Sequence, residues 1–188
     1  MPEPRPDPLR VAFVPGVTPG KWERIWRERR PRGRLDLTPM MQDAALAALA
    51  EGTAHMALLR DVAADEERHA IVLYREAPVV VTPKGSLVAG LDDLTLAELT
   101  ALDEVTVLPV DLHSGSGDDA VELVAANVGV AVMPQSVARA HSRKDVVARP
   151  LADAPDTAIS LVWPTAGAHP LVDEFIGIVR GRTANSSR

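Results

Sequence analysis

VELVAANVGVAVMPQ, residues Val121 to Gln135, runs from a helix face through a tight turn into an apolar strand. Just ahead of it, Asp118 and Asp119 can accept hydrogen bonds from the free N–H groups of a helix start and sit well at the positive end of its dipole. Val121, Val124 and Ala125 then recur at helical spacing. Asn127 breaks the pattern; Asn is the residue after glycine most able to take the left-handed conformation that ends a helix, and Gly129 follows. Val130 to Met133 is a short apolar run of the kind buried on both faces of a sheet. Pro134 closes it, since proline cannot donate to a ladder. A helix reversing into a buried strand is half of an α/β unit.

Working outward toward the N-terminus, the same alternation continues. Pro2, Pro4, Pro6 and Pro8 alternate with other residues in an extended, flexible leader over 1–8. Leu9 to Val14 is an expected strand, and Pro15-Gly16-Val17-Thr18-Pro19-Gly20 a turn-rich loop. Trp22, Ile25 and Trp26 share one face of an expected helix over Lys21 to Arg30, which stops before Pro31. A strand at Leu35 to Pro39, a helix at Gln42 to Glu51 stopped by Gly52, and a strand at His55 to Leu59 follow. Ile71 to Leu73 and Ala77 to Thr82 add strand material. Thr95 to Thr100 is a short helix capped by Asp92 or Asp93, and Val105 to Val110 a weak strand.

Toward the C-terminus, a short helix at Ser136 to Ala140 precedes strands at Val146 to Pro150 and Ala158 to Trp163. The last helix, Pro170 to Arg180, puts Leu171, Phe175, Ile178 and Val179 on one face, and Thr183 to Arg188 is an expected flexible tail. No internal repeat is visible.

Composition removes several function classes. The chain has no cysteine, so thiol catalysis, disulfides and thiolate metal sites are excluded. The formal charge of −6 argues against a nucleic-acid surface over the whole molecule. No apolar window has the length of a signal peptide core or a membrane span, so a cytoplasmic protein without membrane attachment is expected. Asn185-Ser186-Ser187 matches a glycosylation acceptor that carries no meaning without secretion. Aromatic residues make up only 3%, leaving Ala, Val and Leu to build the core.

Three patterns in this order resemble the effector-binding domain of LysR-type transcriptional regulators. They are LRVAFVPGVTPG leading to a helix that ends in RERRP, ALAALAEGTAHMALL, and VAANVGVAVMP; the likeness spans about Leu9 to Arg182. The resemblance implies a two-lobed α/β fold of the type 2 periplasmic-binding-protein kind with two hinge strands. On that basis lobe 1 covers 9–78 plus 164–182 and lobe 2 covers 79–163, with Glu76 to Thr82 and Ala158 to Trp163 paired antiparallel as the hinge. His55 stands where the family usually has Asp, and Asn127 where Gly is usual. The segment between Leu99 and Asp118 is about a strand and a helix short of the family's second lobe. The likeness begins at Leu9, ahead of which there is no room for the family's DNA-binding region, so no direct DNA binding by this chain is expected.

The resemblance also directs attention to two loops. Gly16, Val17, Thr18 and Lys21 offer backbone N–H groups, a hydroxyl and a charge to an anionic ligand at a helix start; the plainer reading is a turn in which Thr18 caps the helix. His113, Ser114 and Ser116 form the second candidate ligand contact, in a flexible polar run facing the first loop across a cleft. Their spacing lacks the nucleophile elbow, so no catalytic residue is assigned. The basic run Lys21, Arg24, Arg27, Arg29, Arg30, Arg32 and Arg34 is the solvated face of a helix before it is a phosphate surface. His55, His69, His113, His141 and His169 show no metal spacing, so neither metal nor cofactor is expected; His55 reads as a core histidine bonded to backbone, and Asp61, Asp65, Glu66 and Glu67 as a solvated turn.

The expected function is a non-enzymatic module that closes two lobes on a small-molecule effector, such as a small organic or amino acid, within a homodimer or with a regulator partner. The helices at Gln42 to Glu51 and Asp118 to Ala126 are the candidate interface. The alternative is a degenerate effector domain that dimerises without ligand.

Overall fold

The computed structural model describes residues 7–92 and 94–181. Most of the leader, Asp93, Arg182, the tail from Thr183 and the Asn185 acceptor fall outside the described residues. In chain order the elements are β1 (Leu9–Phe13), α1 (Gly20–Arg29), β2 (Leu35–Pro39), α2 (Gln42–Ala50), β3 (Met56–Arg60), β4 (Arg68–Glu76) and β5 (Pro78–Pro83). A 3₁₀ turn at Val88–Gly90 comes next. Then follow α3 (Leu96–Thr100), β6 (Val107–Leu108), α4 (Asp118–Ala125), β7 (Val130–Pro134), α5 (Gln135–Ala140), β8 (Val146–Pro150), β9 (Thr157–Pro164) and α6 (Val172–Val179). The chain divides into two compact units, 1–73 with 159–188, and 74–158. The crossings thus fall at Leu73/Tyr74 and Ala158/Ile159, whereas the sequence reading places them at 78/79 and 163/164.

Unit 1 is built on a five-stranded sheet ordered β2-β1-β3-β9-β4. β1 runs parallel to β2 and β3, and β9 antiparallel to β3 with Leu59 opposite Ser160. β3 is buried along its whole length, as a central strand covered on both faces must be. α1 buries Trp26, whose indole N–H donates to Gly33 O at 3.0 Å and whose ring meets Phe175 of α6 at 6.0 Å. Burying that ring contributes about 1.5–3 kcal/mol. The basic run around α1 is solvated: Arg27 pairs with Glu23, Arg34 with Asp36, and Arg30 with Glu174 of α6.

Unit 2 has a four-stranded sheet ordered β6-β7-β5-β8, with β5 antiparallel to β7 and β8, and β6 parallel to β7. Successive residues of β5 serve opposite faces: Val79 and Val81 pack with α4 and α5 residues, Val80 with Val88, Leu94 and Leu99. The opening stretch folds as its pattern demands. Asn127 takes φ 61° after α4, and β7 sends Ala131 and Met133 to one face and Val130 to the other.

Three local expectations change. The partner of Ala158 to Trp163 changes from the expected stretch Glu76 to Thr82 to the strands β3 and β4: β9 lies between those two strands, β4 ends at Glu76, and Pro78 to Thr82 in β5 is spent on β7 and β8. The cap of α3 is Thr95, which accepts from Glu98 N while Glu98 returns a bond to Thr95 N, so Asp92 does not fill that role. Finally, α4 starts at Gly117, with φ 84° and no side-chain cap, so Asp118 and Asp119 lie in its first turn without capping it.

Candidate functional site

In unit 1 the carboxyl ends of parallel β1, β2 and β3 bring three loops to one sheet edge, where open α/β sheets place their ligands. The first loop leaves β1 through Val14, whose N–H donates to Leu58 O, and tightens where Val17 N donates to Val14 O at 3.2 Å. Gly16 sits at φ 87°, a conformation that favours glycine. Val17 is only 4% exposed and joins the core, and its N–H is already given to Val14 O, so it shapes the loop rather than offering a donor to a ligand.

Thr18 does not cap α1. The N-cap is Pro19, no side chain caps the helix, and Pro19 O takes both Trp22 N and Glu23 N. Two consequences follow. The exposed Thr18 hydroxyl has no protein partner among the described residues, and neither have the N–H groups of Gly20 and Lys21. They stand at the positive end of a ten-residue helix beside an exposed lysine, an arrangement that attracts an anion.

The other two loops of this edge are tied by Gln42, which the sequence reading placed only as a helix start. Its side chain is 4% exposed and binds both backbone groups of Arg60. Arg60 is itself 4% exposed, a charged residue ending an otherwise apolar strand. The signal was present in the run LLR followed by Asp61, but a terminal charge on a strand usually points to solvent.

His55 lies at the opposite end of β3, immediately before it. Its Nδ1 accepts from Arg10 N at 3.1 Å, Arg10 Nη2 lies 2.8 Å from Nε2, and its ring stacks on His169 at 4.2 Å. Burial first, then the Arg10 charge and His169, hold His55 below its ordinary value. The reading of a histidine bonded to backbone fits, though the ring is half-buried and borders a cavity of about 270 Å³ rather than the core.

In unit 2 the run His113 to Ser116 is ordered by internal bonds. Asp111 accepts His113 N at 2.8 Å, Ser114 N at 3.1 Å and the Ser114 hydroxyl. The Ser114 hydroxyl bond first, then the two N–H bonds, lower the Asp111 carboxyl to about 2. Ser114 is therefore committed to an aspartate. Ser116 Oγ accepts Asp118 N at 3.3 Å. His141, at the end of α5, reaches Ser116 O at 3.1 Å and Asp118 Oδ1 at 3.2 Å. Both partners are acceptors, so a doubly protonated ring satisfies both and a neutral ring only one. Glycine suits both positions: Gly117 takes φ 84°, a conformation strained for other residues, and a Cβ at Gly115 would crowd Asp111 O at 3.0 Å. Asp118 and Asp119 disfavour an anion at the start of α4, whereas the single acid in the first turn of α1, Glu23, is paired with Arg27.

Among the described residues no three of His, Asp and Glu gather as a metal site, and no helix is long and apolar enough to cross a membrane. Gly16, Val17, Thr18 and Lys21 are thus brought together in unit 1, and His113, Ser114 and Ser116 in unit 2.

The family model of the LysR substrate binding domain matches residues 6–111 and 101–184 of the chain. No curated protein sequence matches it. Among solved structures, the BenM effector binding domain with its effector benzoate is similar at TM-score 0.74 and 18% identity, over 93% of this chain and 94% of that one. A cysteine variant of the OxyR regulatory domain from Pseudomonas aeruginosa is similar at TM-score 0.73 and 15% identity, over 94% and 95%. Full-length CbnR complexed with its target DNA is similar at TM-score 0.70 and 20% identity, over 93% of this chain and 70% of that one. At these identities the likeness establishes the two-lobed, periplasmic-binding-protein-like fold.

Proposed function

This chain belongs to the LysR substrate-binding domain family, and from that premise we propose that it binds a small anionic effector, such as a small organic acid, as a regulatory module that catalyses no reaction. The observation that carries the choice of an anion is the uncapped start of α1, where the Gly20 and Lys21 N–H groups, the Thr18 hydroxyl and the Lys21 ammonium have no partner among the described residues. Gly16 and Val17 shape that cradle. In the proposed mechanism His113 and Ser116 supply polar contacts from the second lobe to the uncharged part of the effector, Ser114 orders that loop through its bonds to Asp111, and lobe closure on the effector shifts the balance between arrangements of a homodimer or a complex with a regulator partner. Such a module acts in the cytoplasm, leaving DNA contact to another region or chain. The effector of BenM, benzoate, is a small organic acid, which agrees with this reading.

The test is thermal unfolding with a panel of organic, amino and aromatic acids. A true effector at about 100 times its Kd adds about 2.7 kcal/mol, or roughly 5–10 °C for a chain of this size. Lys21→Met should weaken that binding about tenfold, equivalent to about 1.4 kcal/mol.

A second reading is favoured by one observation: between Leu99 and Asp118 the only strand is the two-residue β6. A second lobe reduced in this way supports a dimerisation module without ligand, through α2 and α4. A flat response to the whole panel, together with a stable dimer in light scattering, would select this reading and discard the first.

A further inference from the structure

Unit 2 holds a cavity of about 490 Å³ at the end of its sheet opposite the His113 to Ser116 loop. Parallel β6 and β7 both enter the sheet from this end, after Asp103 to Thr106 and Asn127 to Gly129 respectively. Antiparallel β5 delivers Pro83 and the turn at Ser86 to Val88 to the same end. The loop carrying His113 leaves β6 from the other end, beyond the length of α4, about 12 Å.

The walls are fixed by short contacts. Val130 N donates to Thr106 O at 2.8 Å, and Gly129 packs so closely that a Cβ there would lie 2.3 Å from the same oxygen. Across the cavity, the Ser86 hydroxyl bonds Thr82 at 2.7 Å and accepts Ala89 N at 3.2 Å, holding the turn. A volume of this size is in the range of small-molecule sites.

The lining has a defined chemistry. Val88 and Val130 are buried and close the inner side, while Leu87 and Val128 are 69% and 51% exposed at the mouth, a large apolar exposure for side chains flanking a concavity. Asp103, Glu104, Thr106 and Asn127 also line the cavity, and none of their side chains has a partner among the described residues. No Lys, Arg or His lines it; Lys84 adjoins the lining residue Pro83 in the chain without lining the cavity itself. The negative end of the α4 dipole is at Asn127 and Val128, adding to the two carboxylates.

We propose that this cavity is a second small-molecule site, separate from the effector loops, that takes an organic cation with an apolar body. The amine or guanidinium group meets Asp103 and Glu104, and the apolar body covers the exposed Leu87 and Val128 above the buried floor of Val88 and Val130. The preferred charge is opposite to that proposed for the α1 loop, so the two sites are distinguishable with simple probes.

The experiment uses the full chain, isotopically labelled, with backbone amide shifts followed by NMR during titration with phenethylamine, 2-phenylethanol or phenylacetate. Phenethylamine should produce saturable shifts at Asp103 to Thr106 and Val128 to Val130, 2-phenylethanol weaker ones, and phenylacetate none there. Replacing Asp103 by Asn together with Glu104 by Gln should weaken phenethylamine about five- to tenfold, as expected for two exposed charge contacts. Leu87→Ser should weaken phenethylamine and 2-phenylethanol alike. Absence of saturation at these amides, equal response to all three probes, or unchanged affinity in the charge-neutral variant would overturn the proposal. Saturation by a Lys-rich peptide where phenethylamine fails would overturn it in favour of a protein partner.

Discussion

Gln42 binds Arg60 through both of that residue's backbone groups: its amide nitrogen donates to Arg60 O at 3.1 Å and its amide oxygen accepts Arg60 N at 2.9 Å. One side chain thereby joins the start of α2 to the end of β3, at the sheet edge that carries the proposed anion cradle. Gln42→Ala leaves a buried donor and a buried acceptor unmet and should cost about 2–3 kcal/mol in urea unfolding. Gln42→Glu keeps the acceptor, loses the donor and buries a charge, so its cost should be at least as large.

His55 gives the chain a pH dependence with a definite sign. Its folded value lies below the ordinary 6.5, because burial, Arg10 and His169 all oppose the charged ring. Between the folded and unfolded values the unfolded chain binds more protons, so stability rises with pH there. The contribution is fully present above about 6.5 and is lost as pH falls from there toward the folded value. His55→Gln, which retains an acceptor for Arg10 N, should flatten the dependence of melting temperature on pH between about pH 7 and 5. An unchanged slope would remove His55 as its source.

Asp111 acts in the opposite range. Its carboxyl, at about 2 beside the Ser114 hydroxyl and the His113 and Ser114 N–H groups, is depressed from 3.8. The stabilisation it gives the loop is complete above the ordinary value and lost as pH falls through about 2. Its side-chain carbon resonance should still be that of a carboxylate at about pH 3, where unperturbed carboxyls are protonated. In Asp111→Ala the His113 and Ser114 amides should exchange faster with solvent.

Asn127 and Gly129 impose different backbone demands a few residues apart. Asn127, at φ 61°, should tolerate Gly and lose about 1 kcal/mol with Ala. Gly129→Ala must displace Thr106 O from 2.3 Å, breaking the zip between β6 and β7, and should cost about 2 kcal/mol or more. Denaturant curves of the three variants would rank them in that order.

The reversal at Asn127 was legible because local chemistry decided it: one residue able to enter the left-handed region, then an apolar run too short for a helix. β2 and β8 likewise appear with the bounds their patterns suggest. What was not legible was partner choice. Ala77 to Thr82 and Ala158 to Trp163 are both largely apolar, and nothing within either shows that β5 must serve β7 and β8 while β9 inserts between β3 and β4. The cap of α3 was misplaced because Asp92 and Asp93 are good cap types, whereas Thr95 wins by its spacing to Glu98. At the site, Gly16, Thr18 and Lys21 were found from loop composition. Gln42 and Arg60 were missed because folding brings them together across 18 residues, whereas Asp111 was passed over although its partners, the Ser114 hydroxyl and the His113 and Ser114 N–H groups, lie two and three residues on.

The place of β9 within its sheet sets an order of events during synthesis. The 74–158 segment is continuous, so all its strands are available once it has left the ribosome. The first sheet is not: β3 keeps an open edge until β9, about 100 residues later, is made, a delay of about 5–20 s at typical translation rates. During that interval β3, whose residues are buried in the finished fold, is an unpaired apolar edge of the kind that chaperones cover. Synonymous codon changes that slow translation between the two strands should therefore lower the soluble yield without altering a single residue.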